Sequence, residues 1–341
     1  MKLSFTIYTG VLSLLLTACS SQQTSGDFNV ITLDDNPDIL IDISEATDVR
    51  ISTIGILDFR VVDSTLIIST QADRGMWQLY KLPECDSITS ILDIGGGPYE
   101  TMEPVPLLYT SLTTDKAGHH LINFFERATG KLINIDITGI THNSVNNAIH
   151  EEYGQPVSTM DIYSFKMNNG DIYKISIDMG SGRIKRSILH GNTDITPKTI
   201  QFVNNKYKAD DISLLSDIAS YPLISHDCRY VADIKSSGWI NIFDIEQDCA
   251  RSIMFGNNGH DNNIQILPGH AYDNFFTVTR ISKENNFTRL DFVGWDGSIY
   301  RTIEINSTGL RSIDVDLNTE TLYAVDPEND KLISLPIHPT E

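Results

Sequence analysis

A short β-pattern that recurs along the chain constrains the fold more than any other feature. Its clearest copy is LRSIDVDLNTETLYAVDPENDKLISL, residues 310–335. Residues 313–316 alternate apolar and acidic side chains, as a strand with one buried face does. Turn signals around Asn318 and Asn329 separate this run from two further apolar runs. Three strands in so short a stretch predict an antiparallel meander.

Similar meanders occur throughout the chain, and their third strands begin near residues 77, 131, 171, 239, 287 and 331. The mean spacing of about 51 residues is typical of propeller blades. The last meander has only three strands, while residues 29–33 form a spare apolar strand near the N-terminus. A closed ring hides sheet edges that would otherwise pair with other chains. We therefore predict an all-β, six-bladed β-propeller whose last blade is completed by residues 29–33.

Two stretches fit the repeat less regularly. In the second unit, residues 107–112 are predicted to form the first strand, and residues near 145–149 a fourth strand. Residues 192–219 are interpreted as an insertion between units, with a short helix suggested by the spacing of Ile212, Leu215 and Ile218.

The N-terminus has the pattern of a bacterial lipoprotein signal. Lys2 is followed by an apolar run, then by Leu16-Thr17-Ala18-Cys19 and a polar stretch. Small residues before a cysteine match a lipobox, in which Cys19 is acylated and becomes the first residue of the mature chain. An ordinary signal peptide with an incidental cysteine is the alternative. The predicted organisation is a signal peptide at 1–18, a tether at 19–27 and one propeller domain at 28–341.

The net charge of the chain limits the partners that it is expected to bind. The chain has 45 acidic and 25 basic residues, a formal charge of −20. It should repel polyanions, so nucleic acid is not an expected partner.

Besides Cys19, the cysteines are Cys85, Cys228 and Cys249, an odd number that does not make a disulfide framework. Cys228 and Cys249 flank a predicted hairpin, so a bridge and two buried thiols both remain open.

The lipobox, the meander period, the final blade and the turn GGGPYE at residues 95–100 together resemble the TolB-like six-bladed propeller lipoproteins of Bacteroides-type bacteria. The turn is shorter than the family's fuller glycine pattern, and a second copy at residues 256–260 lacks its Pro and Glu. The resemblance implies an outer-membrane anchor and no assigned reaction. Residues 20–25 lack an acidic export tag, which favours the periplasmic side. The resemblance to this family also implies O-glycosylation sites at residues 63–65 and 86–88.

No catalytic residue, metal or cofactor is assigned from the sequence. His-Glu-x-x-His and Gly-x-Ser-x-Gly motifs are absent, and His119 and His120 point to opposite faces of a strand. Residues 314–320 carry oxygen ligands at alternate positions but lack the glycine of a calcium loop, and strand alternation explains them equally well. Innermost strands line a propeller channel. The candidate ligand-binding residues, chosen by position, are therefore Arg60, Tyr109, Tyr163, His226 and His270.

The leading hypothesis from the sequence is a membrane-anchored, non-enzymatic propeller. It would bind an unknown envelope protein or glycan at one end of its ring. The alternative is a propeller hydrolase or lyase that acts on a glycan or peptide at the central channel. A third possibility is a purely structural protein of the cell envelope.

Overall fold

The computed structural model describes residues 30–32, 36–127, 129–140, 145–178, 183–206, 220–235, 238–255 and 264–337. They form six sheets of antiparallel meanders arranged as a six-bladed β-propeller, which confirms the predicted fold. The signal peptide, Cys19 and the tether lie outside these residues. Within the described ranges, no helix combines the length and apolar character needed to cross a membrane.

Three short strands and a 3₁₀ turn precede the first blade: β1 Val30–Thr32, β2 Ile39–Ile41, the turn Ile43–Glu45 and β3 Thr47–Asp48. Blade 1 consists of β4 Ile56–Val62, β5 Thr65–Thr70, β6 Trp77–Lys81 and β7 Asp86–Ile91. A two-stranded parallel ribbon, β8 Asp93–Ile94 and β9 Glu100–Thr101, leads to blade 2. Blade 2 consists of β10 Ser111–Thr114, β11 His120–Glu126, β12 Lys131–Asp136 and β13 Ile149–Glu152.

Blade 3 consists of β14 Asp161–Lys166, β15 Ile172–Asp178, β16 Arg183–His190 and β17 Thr193–Asp194. Blade 4 consists of β18 Ser220–Ile224, β19 Tyr230–Lys235, β20 Trp239–Asp244 and β21 Cys249–Met254. Blade 5 consists of β22 Ile264–Ala271, β23 Phe275–Ser282, β24 Phe287–Gly294 and β25 Ile299–Ile305. Blade 6 consists of β26 Arg311–Asp316, β27 Thr321–Asp326 and β28 Lys331–Pro336.

An N-terminal strand completes blade 6, but the segment predicted for this role is the wrong one. Thr47–Asp48 pairs antiparallel with β28, whereas Val30–Thr32 adds parallel to β21, the outer strand of blade 4. Ile39–Ile41 pairs in the same way with β25 of blade 5. The closing strand has two residues, both exposed, so it shows no apolar alternation that a sequence pattern could detect.

Blade 2 and the insertion also differ from expectation. Leu107–Tyr109 forms a 3₁₀ turn, and the inner strand begins only at Ser111. Val145–Ala148 forms a helical turn, α1, and the outer strand follows it from Ile149. The described helix of the insertion, α2, spans Lys198–Lys206 and packs Ile200 and Val203 into the core beside β16. The helix suggested around 212–218 lies outside the described residues.

Apolar clusters fill the spaces between neighbouring blades. Between blades 1 and 2, the fully buried Trp77 lies 5.7 Å from Phe124, measured between ring centroids, and its indole N–H donates to the Val105 carbonyl. Several interior strands bury both faces because one side meets the blade before and the other the blade after. β24 is buried along its whole length, and residues 313–316 of β26 are all buried, so the alternating acidic side chains there do not face solvent as expected.

The glycine turn at residues 95–100 folds around a carboxylate. The Gly97 N–H donates to Glu100 Oε2 at 2.6 Å. A Cβ at Gly95 would lie 2.1 Å from the same oxygen, so no larger residue fits there without moving Glu100. The glycines therefore allow the chain to leave blade 1 tightly. The second glycine stretch, at 256–260, lies outside the described residues.

Candidate functional site at the propeller mouth

The structure divides the five residues chosen from the sequence between the two ends of the ring. Arg60 on β4, His270 on β22 and His226 in the turn after β18 line one pocket of about 330 Å³. Tyr109 and Tyr163 do not line it. Their rings stack 5.3 Å apart at the start of the inner strands of blades 2 and 3, whereas the pocket lies where inner strands end. Tyr109 was expected on an inner strand. In the structure it lies on the 3₁₀ turn before β10.

We call the first site the mouth pocket. It opens to solvent, and five of the six blades contribute to it, because their inner strands run in the same direction and end at the same mouth. Its lining is Arg60, Val61, Val62, Asp63, Leu112, His120, His226, His270, Ala271, Tyr272, Asp273, Asn274, Phe275, Val315, Leu317 and Asn318.

Arg60 forms the floor of the mouth pocket. Its side chain is 5% exposed, and its Nε donates to His270 Nδ1 at 2.9 Å. Among the described residues, Nη1 has no hydrogen-bond partner, and no carboxylate lies within ion-pair distance of the guanidinium. Burial lowers the pKa of Arg60, while the charges of Asp314 and Asp58 oppose that shift. The pocket floor is therefore a buried cation with unused donors.

The contact with Arg60 determines the tautomer of His270. Because Nδ1 accepts a hydrogen bond from Arg60, the proton of the neutral ring is on Nε2. Nε2 lies 3.5 Å from Asp314 Oδ2. Burial, and then the charge of Arg60, lower the pKa of His270 well below its ordinary value. The ring is thus neutral at neutral pH and lies between Arg60 and Asp314, and it also makes a backbone hydrogen bond at Phe59.

Asp314 is fully buried next to this ring. It accepts hydrogen bonds from the Val61 N–H at 2.7 Å, the Val315 N–H at 2.9 Å and the Tyr272 hydroxyl. Burial raises the pKa of Asp314 to about 6, although these hydrogen bonds and the charge of Arg60 act in the opposite direction. Burial, followed by the charge of Asp314, raises the pKa of Tyr272 well above its usual range. At neutral pH Tyr272 is therefore a hydroxyl donor and Asp314 an acceptor.

The other two imidazoles are held by the protein at both nitrogens. His226 Nδ1 lies 2.9 Å from Asp273 Oδ1, and its Nε2 lies 3.0 Å from the Ala271 carbonyl oxygen. Burial lowers the pKa of His226, and a neutral ring donates to only one of these two acceptors. His120 Nε2 lies 3.2 Å from Asp63 Oδ2, and its Nδ1 lies 3.3 Å from Thr114 Oγ1.

Sequence reasoning missed His120, Tyr272 and Asp314. From the sequence, His120 enters only as half of a possible metal-binding pair, although its place at the first residue of β11 puts it at the hairpin that borders the mouth. Asp314 enters only as part of a possible calcium loop. Its oxygens accept from donors of this chain, and those of Asp316 accept from the Asn318 N–H and the Thr319 hydroxyl. Across the described ranges, no group of three or more His, Cys, Asp or Glu side chains is arranged to hold a metal ion.

No disulfide joins the cysteines of the described residues, so Cys228 and Cys249 are not bridged to each other. Cys228 is buried, and its sulfur accepts from the Asn168 N–H at 3.0 Å. Its environment lies between blades 3 and 4, away from the mouth pocket lining.

No protein-family model matches the sequence, and no curated protein matches it either. Among solved structures, the WD40 repeats of RRP9 are similar with a TM-score of 0.47 and 10% identity, over 87% of this chain and 99% of that one. The β-propeller domain of Cps50 (Swd1) from Myceliophteria thermophila gives 0.39 and 10%, over 86% and 100%.

Virginiamycin B lyase from Staphylococcus aureus is similar with a TM-score of 0.38 and 14% identity, over 86% of this chain and 88% of that one. At these identities, the likenesses concern the propeller fold alone.

Proposed function

We propose that this protein is a cell-envelope lipoprotein of the TolB-like propeller type, which binds a protein or glycan partner at the mouth pocket. Lipidated Cys19 would anchor it to the outer membrane on the periplasmic side, with residues 19–27 as the tether and 28–341 as the propeller domain. One observation carries the binding role. Side chains from five blades converge on one solvent-open pocket of about 330 Å³, a size within the range of ligand sites.

The contacts of the imidazoles favour binding over a chemical reaction. A general base must reach the proton that it removes. In the mouth pocket, each nitrogen of His120, His226 and His270 lies near a protein partner. These rings orient neighbouring side chains and hold the blades together, and they leave the pocket's shape and its polar groups to select the partner.

The proposal is tested with a photo-cross-linking residue placed at Asn318, on the pocket rim, in the full-length lipoprotein in its native envelope. The matched control carries the same residue at Asn329, in the β27–β28 turn of the same blade at the opposite end. We expect adducts from position 318 and none from 329. Adducts from 329 alone, or from neither position, would contradict the mouth as the binding end.

The anchor is tested in the same strain. Wild-type protein is expected in the washed membrane fraction, and the Cys19→Ser variant in the soluble periplasmic fraction. Equal membrane association of the two proteins would rule out anchoring through Cys19.

A glycan or peptide hydrolase or lyase is the second candidate. The observation in its favour is the buried group of Arg60, His270 and Asp314, whose pKa values are all shifted by burial, as in many active sites. Turnover of glycan or peptide substrates by the wild type, abolished by His270→Gln, would support this activity. Turnover that is equal in both proteins would exclude this group as its source.

A further inference from the structure

We infer that the mouth pocket recognises the end of an uncharged glycan, with Arg60 donating to a sugar oxygen at the pocket floor. The inference rests on the proposed binding role of the mouth and names its ligand class. It follows from the placement of donors, acceptors and apolar surface in the pocket.

The floor supplies unused donors. The guanidinium of Arg60 has five N–H groups, and among the described residues it makes one hydrogen bond, from Nε to His270. Buried donors without partners are costly, more so when the group is charged. Arg60 also borders the channel below, whose volume of about 10 Å³ admits about one water. A ligand that enters the mouth must therefore stop at Arg60, where the Nη groups can meet its terminal oxygens.

The rim supplies acceptors. The side chains of Asp63 and Asp273 are 63% and 79% exposed, and the exposed amides of Asn274 and Asn318 add both donors and acceptors. An anionic ligand would meet Arg60 but also the two rim carboxylates. A cationic ligand would suit the carboxylates but leave the Arg60 donors unused. Hydroxyl groups donate and accept, so a neutral polyol satisfies floor and rim together.

The wall supplies apolar surface. The rings of Tyr272 and Phe275 stack 4.6 Å apart, and Phe275 and the 47% exposed Leu317 line the pocket. The C–H face of a sugar ring can pack on such surfaces while its hydroxyls reach the polar groups. The anchor side chain of a bound peptide packs into a pocket whose deepest part is apolar and free of water. The deepest part of this pocket is formed by Arg60 and His270 and is polar.

The size of the pocket favours a chain end. About 330 Å³ is at the lower limit of the roughly 300–1,000 Å³ typical of small-molecule sites. The pocket therefore accommodates the terminal part of an oligosaccharide rather than a long internal stretch.

The test is a screen of the purified full chain on an array of neutral and uronic-acid oligosaccharides, with short peptides as a separate set, followed by calorimetric titration of each hit. We expect neutral glycans to bind. Arg60→Gln should weaken their binding about 10- to 100-fold, as expected for loss of a hydrogen bond from a charged donor.

Arg60 is buried, so Arg60→Gln can also disturb folding. Asn318→Ala changes an exposed rim residue and should weaken binding about two- to tenfold. Its matched control, Asn329→Ala at the opposite end of blade 6, should bind as the wild type does. Equal affinity of Asn318→Ala and wild type would place the glycan elsewhere and overturn the inference.

The remaining outcomes separate the two proposals. Preference for uronic-acid glycans would overturn the uncharged class, and binding of peptides alone would overturn the glycan class. In both cases adducts from position 318 would still support a partner at the mouth. Binding of nothing in either set overturns the glycan inference, and the absence of adducts from position 318 would remove the mouth proposal as well.

Discussion

At the scale of single residues, the mouth is built around charges that are buried without direct ion pairs. Among the described residues Arg60 and Asp314 form no direct ion pair, and His270 lies between them. Burial lowers the pKa of Arg60 and raises that of Asp314. Buried charges of this kind cost folding free energy. The buried polar groups of the mouth therefore lower the stability of the fold.

Asp314 gives a prediction for the pH dependence of stability. Its pKa is about 6 in the folded chain against 3.8 ordinarily, so the folded state binds the proton more tightly. The contribution of Asp314 therefore favours folding at low pH and is lost as the pH rises from about 4 to about 6. The full difference is of order 3 kcal/mol. Relative to Asp314→Asn, the wild type should lose stability across this range in urea unfolding. A constant difference between the two proteins from pH 4 to 7 would refute this account.

Cys228 gives a second prediction. Burial raises the pKa of its thiol to about 11, and only the thiolate is reactive. We expect no alkylation of Cys228 by iodoacetamide at pH 8 in the native protein and complete alkylation in denaturant, measured by peptide mass spectrometry. Rapid labelling of Cys228 in the native protein would show that blades 3 and 4 separate there.

At the scale of elements, short N-terminal strands cover three outer strands. β1 and β2 add parallel to the outer strands of blades 4 and 5, and β3 completes blade 6. They cover edges that would otherwise be available for pairing with other chains. β2 also contributes apolar surface, because Ile39 and Ile41 are buried in the cluster shared by blades 5 and 6.

The contribution of β2 is testable with neighbouring residues. Ile41 is 5% exposed and Leu40 is 59% exposed. Ile41→Ala should lower the free energy of unfolding by about 2–4 kcal/mol, whereas Leu40→Ala should change it by less than about 0.5 kcal/mol. Urea unfolding of both variants measures the difference. Equal effects would mean that β2 does not pack on blade 5 as described.

At the scale of the whole molecule, polar contacts join one blade to the next around the ring. The Asn168 side chain donates to the His226 carbonyl between blades 3 and 4, and His226 contacts the Ala271 carbonyl between blades 4 and 5. The Tyr272 hydroxyl donates to Asp314 between blades 5 and 6, and Asp314 accepts from the Val61 N–H of blade 1. The residues that form the mouth pocket therefore also help to close the ring.

The buried pair Arg186–Asp233 tests the junction of blades 3 and 4. Arg186 Nη2 lies 2.6 Å from Asp233 Oδ2, and both side chains are almost fully buried. Arg186→Met leaves a buried carboxylate without this partner and should cost about 3–5 kcal/mol, whereas Arg186→Met with Asp233→Leu should recover most of that loss. Thermal and urea unfolding compare the three proteins. A double variant as unstable as the single one would show that the pair's charge is not what matters.

Much of the fold could be predicted because its signals are local. The runs at residues 313–316, 322–325 and 332–335 lie within β26, β27 and β28, because short apolar runs bounded by turn residues are typical of buried strands. The closing strand could not be predicted in this way. Thr47–Asp48 is held by pairing with β28 rather than by burial of its own side chains.

Local sequence patterns are sufficient to predict an all-β ring of six blades, because apolar strand runs and turn residues act over a few positions. The site forms through long-range contacts. Folding brings Arg60, His226 and His270 together across more than 200 residues of chain and adds Asp314, while Tyr109 and Tyr163 lie toward the other end. The position of a residue along its inner strand determines at which end of the ring it lies. The order of the blades around the ring determines which residues of other blades lie next to it. Neither relation is encoded in the spacing of residues along the chain.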